Sequence, residues 1–259
     1  MFDRVQLQYA RFKTIRAYKS GDWRKILIRE NNDPLVEVPA KYCYPYYMRE
    51  MHLTTDKRIF LRQEVLNRFV QARETLRSKG FDLIVYDGWR SVELQENLFW
   101  HYMREFTAAR FNRKDEFVQL KELSQVRDYF KRLPPDVQTT LREANSTYVS
   151  WPSKNPLVPS PHVTGGSLDV WLYQDGVPAS VGIPFDWMEE NAGAFYHLKR
   201  WRKSFSGDHR VCSNRSALLL AMIQAGFSCY PPEIWHFNFG NQMDALVKGE
   251  KARYSYVEP

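Results

Sequence analysis

The sequence has 259 residues, of which 44% are hydrophobic and 26% are charged, and its 37 Lys and Arg outnumber its 30 Asp and Glu by seven. Its 8 Trp, 15 Tyr and 16 Phe exclude an intrinsically disordered chain, because such chains are poor in large apolar side chains. The longest apolar run, at 217–223, is much shorter than the roughly 18 residues that a membrane span requires. The length allows one large domain or two small ones.

The elements predicted along the chain alternate between helices and short strands. The helices are expected over 58–79, 91–132, 135–145 and 214–225, and the strands over 81–86, 167–173 and 233–239. Gly80 and Gly226 are expected as C-terminal caps and Ser213 as an N-cap. Residues 167–173 alternate between apolar and polar side chains, which is typical of a half-buried strand. This pattern favours an α+β fold with a largely antiparallel sheet over a doubly wound parallel one.

No repeat, low-complexity tract or flexible linker divides the chain, so we expect a single domain over 1–259. The charged and aromatic stretch between Arg90 and Ser160 predicts a helical insertion around 104–148. Residues 1–19 are interrupted by charges and lack the apolar core of a secretory signal, which predicts a cytoplasmic protein. The three cysteines form no close pair and indicate neither a disulfide framework nor a cysteine zinc site.

Four side chains have the chemistry of a catalytic zinc centre. Such a centre needs three His or carboxylate ligands, an open position for water and a nearby base that is not a ligand. His162, Asp169 and His236 can supply the ligands and Glu233 the base. His162 precedes a glycine pair that lets the chain reverse, and Asp169 lies on the polar face of the strand that follows, so the two can meet at one ion.

Glu233 and His236 are three residues apart, and on a regular strand they would point to opposite faces. Their convergence requires Glu233 to lie in an irregular segment just after Pro231 and Pro232, or on a bulge. Each of these residues alone is weak support for a zinc site, since a buried histidine is more often a structural residue than a metal ligand. The interpretation depends on their conjunction.

Three motifs give the sequence a resemblance to a known family. The run S-x-H-x-x-G-x-S-x-D at 160–169 resembles the signature of the zinc D-alanyl-D-alanine dipeptidases and carboxypeptidases, in which Ala is usual at the position of Ser167. The E-x-W-H-F run at 233–237 is similar to their second metal motif. The D-G-W-R run at 87–90 is similar to a stretch of the dipeptidase branch, the VanX-like enzymes.

The resemblance implies a Hedgehog/D,D-peptidase-like fold and one zinc ion per chain, with His162, Asp169 and His236 as its ligands. It also implies that Glu233 is the general base and that Arg90 is the cation that stabilises the oxyanion. Ser160 and Asp186 are the implied substrate-binding positions. Asp186 is the expected partner of a free substrate ammonium. The implied reaction is zinc-dependent hydrolysis of D-alanyl-D-alanine or a related small D-amino-acid dipeptide.

Two other functions stay open at this stage. The first is a D,D- or L,D-carboxypeptidase that trims the stem peptides of peptidoglycan, so that the partner is a cell-wall peptide. The second is a basic nucleic-acid-binding protein, suggested by the charge of +7 and by the interleaved basic and aromatic residues at 199–203. A solvated basic surface accounts for that segment better, because no known nucleic-acid-binding motif accompanies it.

Overall fold

The computed structural model describes residues 2–198 and 208–259. The chain divides into two compact units, one formed by Met1–Trp89 with Asn155–Pro259 and the other by Arg90–Lys154. The prediction of a single domain with a helical insertion around 104–148 stays a prediction. The basic segment at 199–203, which prompted the nucleic-acid hypothesis, lies outside the described residues.

In its described residues the first unit contains seven strands and the helices around them, and the second unit contains helices. The strands are β1 (Leu35–Glu37), β2 (Phe60–Arg62), β3 (Asp82–Asp87), β4 (Ser167–Gln174), β5 (Val177–Pro178), β6 (Ser228–Cys229) and β7 (His236–Asn238). The helices of the first unit are α1 (Phe2–Ser20), α2 (Tyr46–Arg49), α3 (Gln63–Arg77), α9 (His209–Gln224) and α10 (Gln242–Lys248). Those of the second unit are α4 (Val92–Tyr102), α5 (Ala108–Arg110), α6 (Lys114–Phe117), α7 (Leu123–Phe130) and α8 (Pro135–Asn145).

The main sheet has the strand order β3-β4-β7-β6, and β5 pairs with β4. Every ladder between these strands is antiparallel, as is the separate pair of β1 and β2. The predicted α+β fold with a largely antiparallel sheet is therefore confirmed. Strand β4 lies between β3 and β7 in this sheet, so residues of both strands lie beside its own.

Helix α3 covers the sheet of the first unit with an apolar stripe. Val65, Phe69, Ala72 and Leu76 recur at helical spacing and are fully buried. The sequence prediction placed the start of this helix at residue 58, but residues 60–62 form β2 instead. That segment pairs in register with β1, and this long-range partner cannot be seen in the local spacing.

Several other predicted boundaries were wrong for similar reasons. Helix α9 begins at His209, because the side chain of Asp208 caps it by accepting the amide of Val211 at 3.0 Å. Ser213, the predicted N-cap, therefore lies inside the helix. The predicted strand over 233–239 forms only over β7. The predicted helix over 91–132 is broken into four α-helices, with a π-helical turn at Met103–Thr107 between the first two.

Strand β4 was predicted to be half-buried, but both of its faces are buried from Ser167 to Leu172. The apolar side chains enter the main core, and the polar ones face a second buried cluster that is described below. Among residues 2–198 and 208–259, no helix is long and apolar enough to cross a membrane.

Candidate active site

Two rungs of the sheet, separated by one residue pair, place four polar side chains on one face. Asp169 of β4 is the register partner of His236 of β7, and Ser167 of β4 is the partner of Asn238 of β7. Residues two apart on a strand point to the same side, and so do directly opposite residues on neighbouring strands. The two rungs therefore form one polar patch, although Asp169 and His236 are 67 residues apart in the sequence.

His162 reaches this patch from a short helical turn just before β4, at His162–Thr164. Gly165 ends that turn with a φ of +69°, a conformation that side-chain-bearing residues rarely adopt. The chain reverses at Gly165 and enters β4, and this brings the side chains of His162 and Asp169 close together. This is the turn that the glycine pair predicted.

The three predicted ligands converge within hydrogen-bonding range. His236 Nδ1 lies 3.0 Å from Asp169 Oδ1 and 3.2 Å from His162 Nε2, and His162 Nε2 lies 3.5 Å from Asp169 Oδ2. All three side chains are buried, and one donor atom from each can be chosen so that all lie within 4.8 Å of one another. Within the described ranges, this is the group of His, Cys, Asp and Glu side chains able to hold a metal ion.

The surroundings of His162 determine which of its ring nitrogens faces the predicted metal position. Its Nδ1 lies 2.7 Å from the carbonyl oxygen of Gly88 and 3.3 Å from Oδ2 of Asp87. Both neighbours are acceptors, so Nδ1 carries the proton and Nε2 presents a lone pair. Gly88 allows this contact, because a Cβ there would lie 2.5 Å from the carbonyl oxygen of Phe60.

His236 has the opposite arrangement. Its Nε2 lies 3.1 Å from Oδ1 of Asn238, so Nε2 donates a proton and Nδ1 faces the cluster. Nδ1 of His236 and Nε2 of His162 lie 3.2 Å apart beside the Asp169 carboxylate, so one cation can contact all three side chains. Neutral imidazoles and a carboxylate also form the donor set that a catalytic zinc site uses, and the residues therefore fit that ion.

Glu233 lies in the turn that precedes β7, where its amide donates to the carbonyl of Tyr230 at 3.2 Å. The irregular backbone turns its buried carboxylate toward the cluster, with Oε2 3.8 Å from His236 Nδ1. This is the geometry that the sequence required of Glu233, since on a regular strand it would face away from His236. Its position beside the ligand group suits a base that acts on a bound water.

The other predicted site residues have well-defined surroundings. Ser160 is buried, and its Oγ makes no hydrogen bond to any residue that the structure describes. Asp186 has a φ of +63° and is half-buried. Burial and then the charge of Asp186 raise the pKa of Tyr46 to about 12. Arg90 belongs to the second unit, where its buried guanidinium donates from Nη1 to Oε1 of Gln95 at 2.9 Å.

An aromatic cluster fixes the segment that carries Asp186. The ring of Phe185 lies 4.6 Å from that of Tyr46, 4.8 Å from that of Tyr86 and 5.3 Å from that of Trp235. Trp235 directly precedes the predicted ligand His236. The segment of Asp186 is therefore connected through packed rings to both β3 and the start of β7.

The sequence analysis predicted no role for Asp87, the carbonyl of Gly88 or Asn238, although each contacts a histidine of the cluster. The D-G-W-R motif contained the first two, but nothing in it indicated a contact with a histidine 74 residues away. Asn238 carried one available signal, since it lies two residues after His236 and so shares its face of the strand.

Comparisons with known proteins agree with the geometry. The family model described as D-ala-D-ala dipeptidase matches residues 122–256. A D-alanyl-D-alanine dipeptidase of Synechocystis is 31% identical over 194 residues, which cover 71% of this chain and 70% of that protein. Among solved structures, a mutant of the vancomycin-resistance D,D-pentapeptidase VanY in complex with Zn(II) is 14% identical, with a TM-score of 0.39 over 89% of this chain and 97% of that chain.

Proposed function

Because the chain belongs to the D-Ala-D-Ala dipeptidase family, we propose that it hydrolyses D-alanyl-D-alanine or a closely related dipeptide at the buried group of His162, Asp169 and His236. The observation that carries the proposal is the convergence of two imidazole nitrogens and a carboxylate, with the Glu233 carboxylate beside them. Family membership makes the chain a metallopeptidase, and the predictions of the family, the enzyme class and a zinc cofactor are confirmed.

In this proposal Nε2 of His162, the carboxylate of Asp169 and Nδ1 of His236 hold the zinc ion. When bound, zinc supplies a Lewis acid that polarises the peptide carbonyl and lowers the pKa of a water toward about 7. The contacts of the two outer ring nitrogens, with Gly88 and Asn238, orient both imidazoles toward the metal position.

Glu233 is the general base and then the general acid. Its carboxylate takes a proton from the water that attacks the peptide carbonyl and afterwards delivers it to the nitrogen of the leaving amine. Burial favours this role, because few water molecules compete for the carboxylate. Arg90 is proposed to stabilise the negative charge that develops on the carbonyl oxygen.

Two residues are proposed to select the substrate. The carboxylate of Asp186, which follows Phe185 of the aromatic cluster, would pair with the free ammonium of a dipeptide. The buried Ser160 hydroxyl would donate to an oxygen of the substrate. A free ammonium exists on a dipeptide but not at the internal residues of a longer stem peptide, so this role of Asp186 would make the protein a dipeptidase rather than a carboxypeptidase.

The test compares zinc-loaded protein on D-Ala-D-Ala, on N-acetyl-D-Ala-D-Ala and on L-Ala-L-Ala. We expect turnover of the first alone, with loss of activity on treatment with a chelator and recovery when zinc is added. Faster cleavage of the acetylated substrate would instead identify a carboxypeptidase. If no D-amino-acid peptide or peptidoglycan fragment is cleaved at one equivalent of zinc, the proposal is wrong.

A further inference from the structure

We propose that Ser167, Asn238 and Asn241 form an amide clamp, a positioning device that fixes His236 as the tautomer with its proton on Nε2. The inference rests on the proposed function only in taking His236 as a metal ligand. The clamp involves Ser167, at the position where the family signature usually has Ala. It is therefore a feature of this chain rather than of that signature.

The clamp begins at a backbone amide whose hydrogen-bonding role is fixed. Asn241 caps the N-terminus of α10, and its Oδ1 accepts the N–H of Asp244 at 3.0 Å. Because a backbone nitrogen can only donate, this atom of Asn241 must be the oxygen, and its other amide atom must be the donor Nδ2. The orientation of the Asn241 side chain is therefore decided by the fold of the backbone.

The fixed orientation of Asn241 sets that of Asn238. Nδ2 of Asn241 donates to Oδ1 of Asn238 at 2.8 Å and to Oγ of Ser167 at 2.8 Å. Since the Ser167 oxygen accepts this bond, its own proton is directed to Oδ1 of Asn238, at 2.7 Å. If the Asn238 amide were flipped, its NH₂ group would face the NH₂ group of Asn241, so the flipped orientation is excluded.

The orientation of Asn238 then sets the proton of His236. Oδ1 of Asn238 can only accept, and it lies 3.1 Å from Nε2 of His236, so that nitrogen must carry the proton. The other ring nitrogen, Nδ1, faces Asp169 and His162. A series of hydrogen bonds thus connects the N-terminus of α10 to the atom proposed to bind the metal.

Burial keeps water out of the clamp. Ser167 and Asn238 are fully buried and Asn241 nearly so, which keeps water from replacing a missing partner. Nδ2 of Asn238 has no hydrogen-bond partner in the part of the chain that the structure describes, so the contacts of Oδ1 alone hold the amide. Three donors converge on that one oxygen, and removing one of them leaves two.

The test uses protein labelled with ¹⁵N at histidine, and long-range ¹H–¹⁵N spectra of the metal-free form report the tautomer of each ring. A His236→Gln variant assigns the signal. We expect the Nε2–H form for His236 in the wild type, a mixture of tautomers in Asn238→Leu, and the wild-type form again in Asn238→Asp, because a carboxylate also accepts. Ser167→Ala should keep the wild-type tautomer through the remaining donor.

Zinc affinity, measured by competition with a chelating indicator, is the second readout. We expect Asn238→Leu to weaken zinc binding about 10- to 100-fold, as removal of a partner outside the ligand set typically does, and Ser167→Ala to weaken it less than about tenfold. The matched control is Asn145→Leu, since Asn145 is a buried amide of the second unit that bonds to Thr107 and the carbonyl of Phe99.

Each outcome decides one of the two proposals. An unchanged tautomer in Asn238→Leu, or an equal loss of zinc affinity in Asn145→Leu, overturns the clamp. If the wild type binds no zinc while the tautomer still changes in Asn238→Leu, the clamp stands and the proposed function fails. Should Asn238→Leu not fold, Asn238→Asp and Ser167→Ala still test the clamp, because loss of the Nε2–H form of His236 in either variant would overturn it.

Discussion

Replacing Glu233 by Gln separates catalysis from metal binding. The substitution keeps the shape of the side chain and removes its charge and its ability to take a proton. Oε2 lies 3.8 Å from Nδ1 of His236, too far for a hydrogen bond, so the three proposed ligands keep their own contacts. Proton transfer by a positioned side chain contributes about 10²- to 10⁴-fold to a rate. At about 1.4 kcal/mol for each factor of ten, the loss corresponds to about 3–5 kcal/mol.

The assay measures D-alanine released from D-Ala-D-Ala and the zinc content of the dialysed protein by atomic emission. We expect kcat for Glu233→Gln to fall by at least about 10²-fold, with KM and zinc content near those of the wild type. The control is Glu250→Gln, which makes the same charge change at an exposed carboxylate and should leave kcat unchanged. If Glu233→Gln retains its zinc and kcat stays within tenfold of the wild type, Glu233 is not the base.

Three further predictions concern the metal, pH and the backbone. Zinc at about a thousand times its Kd should stabilise the folded protein by about 4 kcal/mol, measured as a rise in Tm. His236→Ala should lose this rise in Tm, and the control variant His197→Ala should keep it. Burial and then the charge of Arg215 lower the pKa of His197 from 6.5 to about 3. Below pH 6.5 the unfolded protein therefore binds a proton at this histidine that the folded protein does not bind, so the free energy of unfolding falls as the pH drops. By pH 4 the wild type should lose up to about 3 kcal/mol more than His197→Gln, as measured by urea unfolding. Gly88→Ala should lower the free energy of unfolding by about 1–3 kcal/mol, because its Cβ would meet the carbonyl of Phe60 at 2.5 Å, and equal urea midpoints for variant and wild type would contradict this.

The sequence located the strands and helices better than it located their ends. The apolar periodicity of α3 and the Gly80 that follows it were read correctly, since both are local signals. The first residues of that predicted helix proved to be β2, because pairing with β1 outweighs local spacing. The cap of α9 at Asp208 was missed for a related reason, since Ser213 is an equally good N-cap by composition and only the course of the chain distinguishes the two.

Local patterns predict the donor residues of the candidate site but not the contacts that orient them. The donor atoms follow from residue types and short spacings, so the sequence alone predicts the group of His162, Asp169 and His236 and the nearby Glu233. The contacts that orient the two histidines join residues far apart in the chain. Gly88 and His162 are 74 residues apart, as are Ser167 and Asn241.

The α+β fold and the set of side chains with the chemistry to hold zinc can be predicted from the sequence, because propensity, alternation and donor type are properties of the residues themselves. The tertiary structure shows which ring nitrogen of each histidine faces the other ligands. It also decided that Glu233 turns toward His236 from an irregular segment, and that Ser167 and Asn238 share a rung of the sheet. Those outcomes depend on which strands become neighbours and in which register, and that is set by burial and hydrogen bonding over the whole fold.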